Sequence, residues 1–452
     1  MNSKQFVKLY LFFCAFSAHL TFAQSDILPR KVKLGARIEQ TELGIAVKDV
    51  YHGTAQNVKL KPGDIILEIN QITIRDVSHL AQVLSNQQEG FKAIFIVLRK
   101  SKKIKLQGIF QGLPKEISDF SNVIYEQAPY RDGMLRVIIN KPLNASGKLP
   151  AMLFIPGYTC SSIDNLSENH PYKRIIDAYV KAGFVTLRIE KSGLGDSYNT
   201  PPCESCDLKD EIDNFQAGLD KLKSLPDVDT NKIIIVGHSM GGIVAPALSA
   251  KNKVAGVVVY GTTAKSWFEY QIELARVQNK LAGLDPLEHE QSVRDQYDLN
   301  YRYFVKKESL AEIAKDSNSL KALIHNFQYE PEYGRIFGRN AEYWRQIQDI
   351  NHLQNWKNTD AYVLVQFGES DFQAFSRQDH EQIVETCNYF KPGTASLQVF
   401  PLTDHYFAKS GTMQDAFDKF VNQQYLQLFN EYNHDVGNNA VQWSINIVNQ
   451  IK

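Results

Sequence analysis

The sequence has no excess of charge of either sign. Its 452 residues include 50 Lys and Arg against 50 Asp and Glu, so the formal net charge is zero. Nucleic acid binding depends largely on positive charge that neutralises phosphates, and the chain therefore gives no reason to expect a nucleic acid partner. A composition of 43% hydrophobic and 22% charged residues is that of a globular protein, and the length predicts two domains.

Long apolar runs are rare, and the one that stands out is at the N-terminus. Lys4 and Lys8 precede an apolar stretch that runs from Leu9, and small residues follow around Ala23. This layout is typical of a secretory signal peptide, so we expect residues 1–23 to be removed on export to the periplasm or beyond. The stretch is short for a membrane span, which disfavours a retained anchor, and no stable span is expected elsewhere.

Cysteine is scarce, with five in the whole chain. Removal of the signal peptide would take Cys14 and leave Cys160, Cys203, Cys206 and Cys387, and an oxidising compartment permits a disulfide among these four. Cys203 and Cys206 have the CxxC spacing of some metal sites. No second such pair exists to complete a tetrahedral zinc site, so we expect no metal.

Strand and helix patterns fill residues 31–106. The segments "LGIAVKDV" and "DIILEIN" are typical of strands, and the second follows a Pro62-Gly63 turn. The segment "VSHLAQVLSN" has the apolar spacing of a short amphipathic helix with Ser78 as its cap. A buried strand, "KAIFIVLRK", closes the pattern.

Three segments of this region, "HGTA", "LKPGDIILEIN" and "VLRK", resemble their counterparts in the PDZ domains of exported bacterial proteins. The resemblance implies a domain that binds an extended peptide or a protein C-terminus along an open sheet edge. The carboxylate would bind a Leu-Gly loop, which is either Leu34-Gly35 or Leu43-Gly44. A domain that only packs against the rest of the chain is the alternative.

A linker is predicted over residues 107–120, where glycines and Pro114 interrupt the pattern. The second domain, residues 121–452, begins with a hairpin around Asp132-Gly133 and continues as alternating apolar strands and helices. Such strands imply a mostly parallel sheet covered on both faces. The alternation stops at about residues 262–356, and this polar, aromatic segment is expected to form a helical cap above the C-terminal strand ends.

A serine stands between two glycines in "KIIIVGHSMGGIVAPAL", where a β-branched strand gives way to a helical segment. The pattern Gly237-His238-Ser239-Met240-Gly241 predicts a sharp turn that lifts the Ser239 hydroxyl above the sheet, near a helix N-terminus. This context resembles the nucleophile elbow of the α/β-hydrolases, and the resemblance covers residues 123–452. It implies the α/β-hydrolase fold and a serine nucleophile activated by a base.

The resemblance also implies the other members of a triad, in the chain order Ser, acid, His. Asp371 matches the acid position after "AYVLVQFG", with Glu369 on the same loop as the alternative. His405 follows the last strand, "SLQVF", and would take the Ser239 proton while Asp371 orients the imidazole. No metal or organic cofactor is implied.

Two loops complete the expected site. The backbone N–H groups of Met240 and Tyr158 would bind the oxyanion, although the family often has His-Gly where this chain has Pro156-Gly157. The segment "RIEKSGLGDS" resembles a family loop that lies beside "PGYTCSS", which brings Cys160 near Cys203 and Cys206. A Cys160–Cys203 disulfide is preferred, and a Cys203–Cys206 ring or free thiols are the alternatives.

These features together predict an exported serine hydrolase that cleaves an ester or amide through an acyl-enzyme. A carboxylesterase is favoured over a prolyl oligopeptidase-like peptidase or an aminopeptidase, and a thioesterase also fits. The non-enzyme alternative is a PDZ binding protein on an inactive hydrolase scaffold, which the three occupied triad positions disfavour. Because the predicted linker separates the domains, removing the first should leave activity on a small ester unchanged.

Overall fold

The computed structural model describes residues 28–451. The predicted signal peptide, residues 1–23, lies outside the described residues. Within residues 28–451, none of the helices combines the length and apolar character needed to cross a membrane. The described chain forms a small N-terminal domain and a larger C-terminal domain.

The N-terminal domain is an antiparallel sheet with two short helices. Its elements are β1 (Ala36–Thr41), β2 (Gly44–Val50), α1 (Thr54–Asn57), β3 (Ile65–Ile69), β4 (Ile72–Thr73), α2 (Val77–Ser85), β5 (Lys92–Arg99) and β6 (Lys102–Ile109). The strand order is β1-β2-β3-β5-β6, with β4 beside β3. Alternate residues such as Ile45 and Val47 point into the core, as the two-residue period of a strand requires. The cap of α2 is Asp76 rather than Ser78, because the Asp76 carboxylate accepts the His79 N–H.

The N-terminal sheet extends into the segment predicted to be a linker. Strand β6 runs through Ile109, and Phe110 is fully buried in the core of the same domain. The chain before β1 also joins this edge, since Val32 pairs with Gly112 and the Lys33 N–H donates to the Gln111 carbonyl at 2.8 Å. The sheet of this domain thus continues through the first residues of the predicted linker, as far as Gly112.

The C-terminal domain is built on an eight-stranded sheet. Its strands are β7 (Ser121–Tyr130), β8 (Gly133–Pro142), β9 (Leu149–Ile155), β10 (Val185–Ile189), β11 (Val228–His238), β12 (Gly256–Tyr260), β15 (Tyr362–Gly368) and β16 (Ala395–Phe400). The order is β16-β15-β12-β11-β9-β10-β8-β7, and neighbouring strands are parallel except in the β10–β8 and β8–β7 pairs, so β8 runs opposite to the other seven strands. Side chains of β11 alternate between two cores, with Ile233 and Ile235 on one face and Ile234 and Val236 on the other. Both faces are covered, which explains the continuous apolar runs in the sequence.

Helices pack on both faces of this sheet. They are α3 (Pro171–Lys181), α4 (Leu208–Ser224), α5 (Gly241–Ser249), α12 (Arg377–Phe390) and α15 (His434–Gln450); a short 3-10 turn at Cys203–Ser205 precedes α4, and α13 (Met413–Val421) and α14 (Tyr425–Asn430) precede α15. α4 has a complete capping box, in which Asp207 and Asp210 each bond the other's backbone N–H. Such a reciprocal cap satisfies two of the N–H groups left unpaired at a helix start.

A helical insertion separates β12 from β15, close to the predicted limits of 262–356. It contains α6 (Trp267–Leu281), α7 (Pro286–Asn300), a π turn (Tyr301–Val305), α8 (Leu310–Ile313), α9 (Ser317–Phe327), β13 (Arg335–Ile336), β14 (Arg339–Asn340), α10 (Ala341–Asp349) and α11 (His352–Asn358). We call this insertion the cap. Trp267 and Trp344 stack on each other at a centroid distance of 4.7 Å, and both belong to the core of the sheet face beneath. The cap is therefore packed firmly on the domain.

Buried ion pairs join the two domains. The Arg30 guanidinium lies 2.6 Å from the Asp164 carboxylate and also pairs with Asp196, which in turn lies 2.9 Å from Arg136 Nε. Arg30 is 5% exposed, Asp164 2% and Asp196 fully buried. In the connecting segment, Glu116 pairs with Arg188 on β10. These contacts do not fit the expectation of two independent domains.

Candidate active site

Ser239 lies in the sharp turn between β11 and α5. Its φ angle is 56°, in the left-handed region that few residues other than glycine adopt. Glycines on either side are required by close approaches: a Cβ on Gly241 would overlap the Ile155 carbonyl, and one on Gly237 would overlap the backbone of Gly241 itself. The Ser239 N–H donates to the Tyr260 carbonyl at 2.9 Å, which ties the turn to β12.

Asp371 and His405 are in direct contact. His405 Nδ1 lies 2.7 Å from Asp371 Oδ2, and the other carboxylate oxygen accepts the N–H groups of Gln373 (2.8 Å) and Ala374 (2.7 Å). Asp371 is fully buried, so these contacts fix both the carboxylate and the ring. The carboxylate holds a proton on Nδ1 and leaves Nε2 free to accept a proton. Glu369, the alternative acid, is exposed.

Asp404, which precedes His405 in the sequence, bonds to backbone groups of the loop that carries both residues. Its carboxylate accepts the N–H groups of Tyr406 and Ala408, each at 2.9 Å, and its carbonyl accepts the Tyr260 hydroxyl at 2.6 Å. Burial raises the pKa of Asp404 to about 6. The residue therefore shapes the loop that carries His405 and makes no contact with the imidazole ring.

His238 holds the same loop from the side of the elbow, a role that the sequence did not reveal. Its Nε2 lies 2.9 Å from the His405 carbonyl, and its Nδ1 lies 2.8 Å from the Tyr172 hydroxyl. Only a ring with its proton on Nε2 can donate to that carbonyl and accept from the tyrosine. Burial lowers the pKa of His238 well below its usual value, so this ring stays neutral. Its only signal in the sequence is its position next to Ser239.

A small pocket of about 50 Å³ brings the predicted groups together. Ser239, His405 and the two predicted oxyanion residues, Tyr158 and Met240, all line it. Gly157 packs against Ser239, because a Cβ at this position would lie 3.6 Å from Ser239 Oγ. The cap closes the pocket with aromatic rings, from Trp267 and Tyr270.

A disulfide joins Cys160 to Cys203, the pairing that the sequence analysis preferred. Cys206 and Cys387 are free and buried, so Cys203 and Cys206 form neither a ring nor a metal pair in this structure. The bond connects the loop after β9, which contains Tyr158, to the 3-10 turn before α4. It therefore limits the movement of the expected oxyanion loop.

We predict that an unreduced digest of the protein, purified without reductant, will contain a peptide pair cross-linked through Cys160 and Cys203. Mass spectrometry before and after reduction measures this directly. The bond closes a loop over a sequence separation of 43, so replacing both cysteines by serine should cost about 2–5 kcal/mol of stability. Four free thiols in the oxidised protein would contradict the prediction.

Of the two Leu-Gly pairs considered for peptide binding, one has the better position. Leu34-Gly35 directly precedes β1, which stands at the end of the strand order and pairs with β2. Leu43-Gly44 instead closes the β1–β2 hairpin, where Gly44 pairs with Thr41 and Leu43 is 65% exposed. A peptide that adds a strand needs a free edge beside its carboxylate loop, so the structure favours Leu34-Gly35.

Comparison with known proteins gives family matches over most of the described chain. A PDZ domain model matches residues 32–107, and a model described as alpha/beta hydrolase family matches residues 152–421. Esterase EstD of Thermotoga maritima is 23% identical over 231 residues, which are 46% of this chain and 55% of the relative. The chain thus spans about half the length of this curated relative.

Solved structures with related folds have low identity. Est1E from Butyrivibrio proteoclasticus is 17% identical with a TM-score of 0.40, and the match covers 67% of this chain and 99% of Est1E. Proline iminopeptidase of Mycobacterium smegmatis is 12% identical with a TM-score of 0.42, covering 73% of this chain and 100% of that one. The hydrolase model itself spans more than half of the chain. The protein is thus a member of the α/β hydrolase family, with a PDZ domain before its hydrolase domain.

Proposed function

We propose that the protein is a serine hydrolase that cleaves carboxylic esters with Ser239 as nucleophile, His405 as base and Asp371 as the orienting acid. The observation that carries the proposal is the 2.7 Å contact between His405 and a buried Asp371, beside a pocket that His405 shares with Ser239. The left-handed turn at Ser239 also supports it, because strained backbone concentrates at functional sites.

The proposed reaction proceeds in two halves. Ser239 Oγ attacks the ester carbonyl as His405 Nε2 takes its proton, and the resulting oxyanion accepts the N–H groups of Met240 and Tyr158. Collapse expels the alcohol, which receives the proton from His405, and leaves an acyl-enzyme. Water then attacks the acyl group with His405 again as base, which releases the acid and restores Ser239.

Ester cleavage is preferred over aminopeptidase activity on the chemistry of the pocket. An aminopeptidase needs a carboxylate to pair with the ammonium group of its substrate. The described residues that line the pocket around Ser239 include no aspartate or glutamate. The resemblance to an esterase of Thermotoga maritima is a further reason to prefer ester substrates.

Export and recruitment are part of the proposal. The N-terminal sequence pattern supports export, and so does the Cys160–Cys203 disulfide, since such bonds persist in oxidising compartments. The PDZ domain would bind a peptide or protein C-terminus at Leu34-Gly35 and β1. It would thereby bring substrates attached to proteins close to the hydrolase.

A panel of p-nitrophenyl esters and aminoacyl-anilides tests the proposed activity, together with labelling by a fluorophosphonate. We expect turnover of short esters, at least tenfold weaker turnover of the anilides, and a label on Ser239 located by mass spectrometry. Faster cleavage of the anilides would favour a peptidase. Absence of both turnover and label would favour a binding protein with an inactive scaffold.

A further inference from the structure

A cluster of three buried charges lies behind the expected oxyanion loop, and the mechanism above does not use it. Lys191 follows β10, Glu211 is on α4, and Arg339 is on β14 of the cap. Lys191 Nζ lies 3.1 Å from Glu211 Oε1, and Arg339 Nη1 lies 2.8 Å from Glu211 Oε2. The three side chains are 4%, 2% and 1% exposed. Burying three charges is costly, and replacing such a triad by apolar residues often stabilises a protein.

Both cations bind consecutive carbonyl groups of the oxyanion loop. Lys191 Nζ donates to the Gly157 carbonyl at 2.6 Å, and Arg339 Nη1 donates to the Tyr158 carbonyl at 2.5 Å. Hydrogen bonds from a charged donor are about twice as strong as those between neutral groups. Lys191 therefore fixes the orientation of the peptide group that joins Gly157 to Tyr158, and Arg339 fixes that of the next peptide group, which joins Tyr158 to Thr159.

The orientation of this peptide group decides where the Tyr158 N–H points. In a trans peptide the carbonyl and the N–H point in opposite directions. With its carbonyl held by Lys191, the Gly157–Tyr158 peptide directs its N–H away from the charged cluster. Ser239 lies against Gly157, as the close approach of its Oγ to that glycine indicates. The positive charge of the Lys191 ammonium group, next to the Gly157 carbonyl oxygen, also polarises this peptide and makes its N–H a better hydrogen-bond donor.

We propose that Lys191 and Arg339 are positioning residues for the oxyanion donor: Lys191 holds the Gly157–Tyr158 peptide by its carbonyl, and Arg339 holds the next peptide, Tyr158–Thr159, by the Tyr158 carbonyl. Arg339 belongs to the cap, so the cap completes the oxyanion site as well as covering the pocket. The inference rests on the proposed function, because it requires an oxyanion at Ser239. Donors held in place before the reaction stabilise the transition state without any cost of reorganisation.

The charges of the cluster determine which substitution tests this role without unfolding the protein. Lys191→Met leaves Arg339 and Glu211 as a balanced pair, and methionine has nearly the length of the lysine stem. Glu211→Gln would instead leave two buried cations without a partner. Tyr343 supports the remaining pair, because its hydroxyl lies 3.3 Å from Glu211 and its ring lies 4.1 Å below the Arg339 guanidinium.

The experiment compares Lys191→Met with the full-length wild-type protein on p-nitrophenyl acetate. Loss of one oxyanion donor costs about 10²–10³-fold in kcat, so misplacing one should lower kcat by roughly 10- to 100-fold and change KM by less than threefold. A trifluoromethyl ketone forms a tetrahedral oxyanion adduct with the serine hydroxyl. We expect its inhibition constant to rise by the same factor as kcat falls, whereas a purely structural role would raise KM and leave the two effects unrelated.

Two further variants control the experiment. Lys391→Met also removes a lysine that binds a backbone carbonyl and an aspartate, since Lys391 Nζ lies 2.8 Å from both Thr359 O and Asp360, and it should leave kcat unchanged. Arg339→Lys keeps the charge but loses the planar fork that reaches two acceptors, so kcat should fall without a change in KM. This variant decides the matter if Lys191→Met does not fold.

The outcomes separate this inference from the proposed function. An active wild-type enzyme whose Lys191→Met and Arg339→Lys variants keep kcat within threefold would overturn the inference and leave the esterase proposal intact. A wild-type protein with no ester turnover and no fluorophosphonate label would overturn both.

Discussion

Replacing Ser239 by alanine should lower the turnover of every acyl substrate by roughly 10⁶-fold, the loss seen when the nucleophile of a serine hydrolase triad is removed. Alanine keeps the Cβ and can adopt the same left-handed backbone, so the fold and the melting temperature should stay near those of the wild type. Without the hydroxyl, neither His405 nor the oxyanion donors have a covalent intermediate to act on. Initial rates on a p-nitrophenyl ester measure the effect.

The matched control is Ser224→Ala, which removes an exposed hydroxyl at the end of α4. Its turnover and its fluorophosphonate labelling should equal those of the wild type, while the Ser239→Ala protein should take up no label. If Ser239→Ala retained turnover within tenfold of the wild type, the assignment of the nucleophile would be wrong.

The positions of the three proposed catalytic residues could be predicted from local sequence patterns. Ser239 directly follows β11, and Asp371 and His405 lie on the loops after β15 and β16; the carboxyl ends of parallel strands meet at one sheet edge. A regular alternation of strands and helices therefore predicts that the three come together. The α/β-hydrolase fold and the PDZ domain followed in the same way from short motifs in the correct order.

Residues that act through distant partners could not be found in this way. His238 binds the Tyr172 hydroxyl and the His405 carbonyl, which are 66 and 167 positions away in the sequence. Arg339 lies in the cap, where no periodic pattern fixes a register. Arg30 precedes the first recognisable strand, and its importance depends on Asp164 and Asp196. Such contacts are set by tertiary packing, which a single sequence does not encode locally.

Replacing Arg30 by methionine should destabilise the whole protein by about 3–5 kcal/mol, the cost of leaving a buried charge without its partner. Asp196 would keep Arg136, but Asp164 would keep only neutral donors to its other oxygen, the Tyr125 hydroxyl at 2.6 Å and the Asn165 side-chain amide at 3.1 Å. Thermal and urea denaturation measure the loss. Arg37→Met is the matched control, because Arg37 pairs with Asp49 on the surface at 67% exposure, and it should leave the melting temperature unchanged.

A double variant separates the unpaired charge from a loss of packing. If the cost of Arg30→Met comes from the uncompensated carboxylate, adding Asp164→Asn should recover most of the lost stability. If it comes from the packing of the arginine stem, the two substitutions should destabilise additively. An Arg30→Met protein as stable as the Arg37→Met control would show that the ion pairs of Arg30 do not hold the two domains together.

The ion pairs of Arg30 with Asp164 and Asp196 also change the expected result of removing the N-terminal domain, which the sequence alone predicts to leave activity unchanged. Removing the chain up to Gly112 deletes Arg30, and both Asp164 and Asp196 lie on loops beside the active site: Asp164 follows the disulfide at Cys160, and Asp196 follows β10. The truncated protein should therefore be less stable and at least tenfold less active on a small ester, although it keeps all three residues of the proposed triad. Adding Asp164→Asn to the truncated protein should restore part of both properties. A truncated protein with the stability and kcat/KM of the full chain would restore the view of two independent domains.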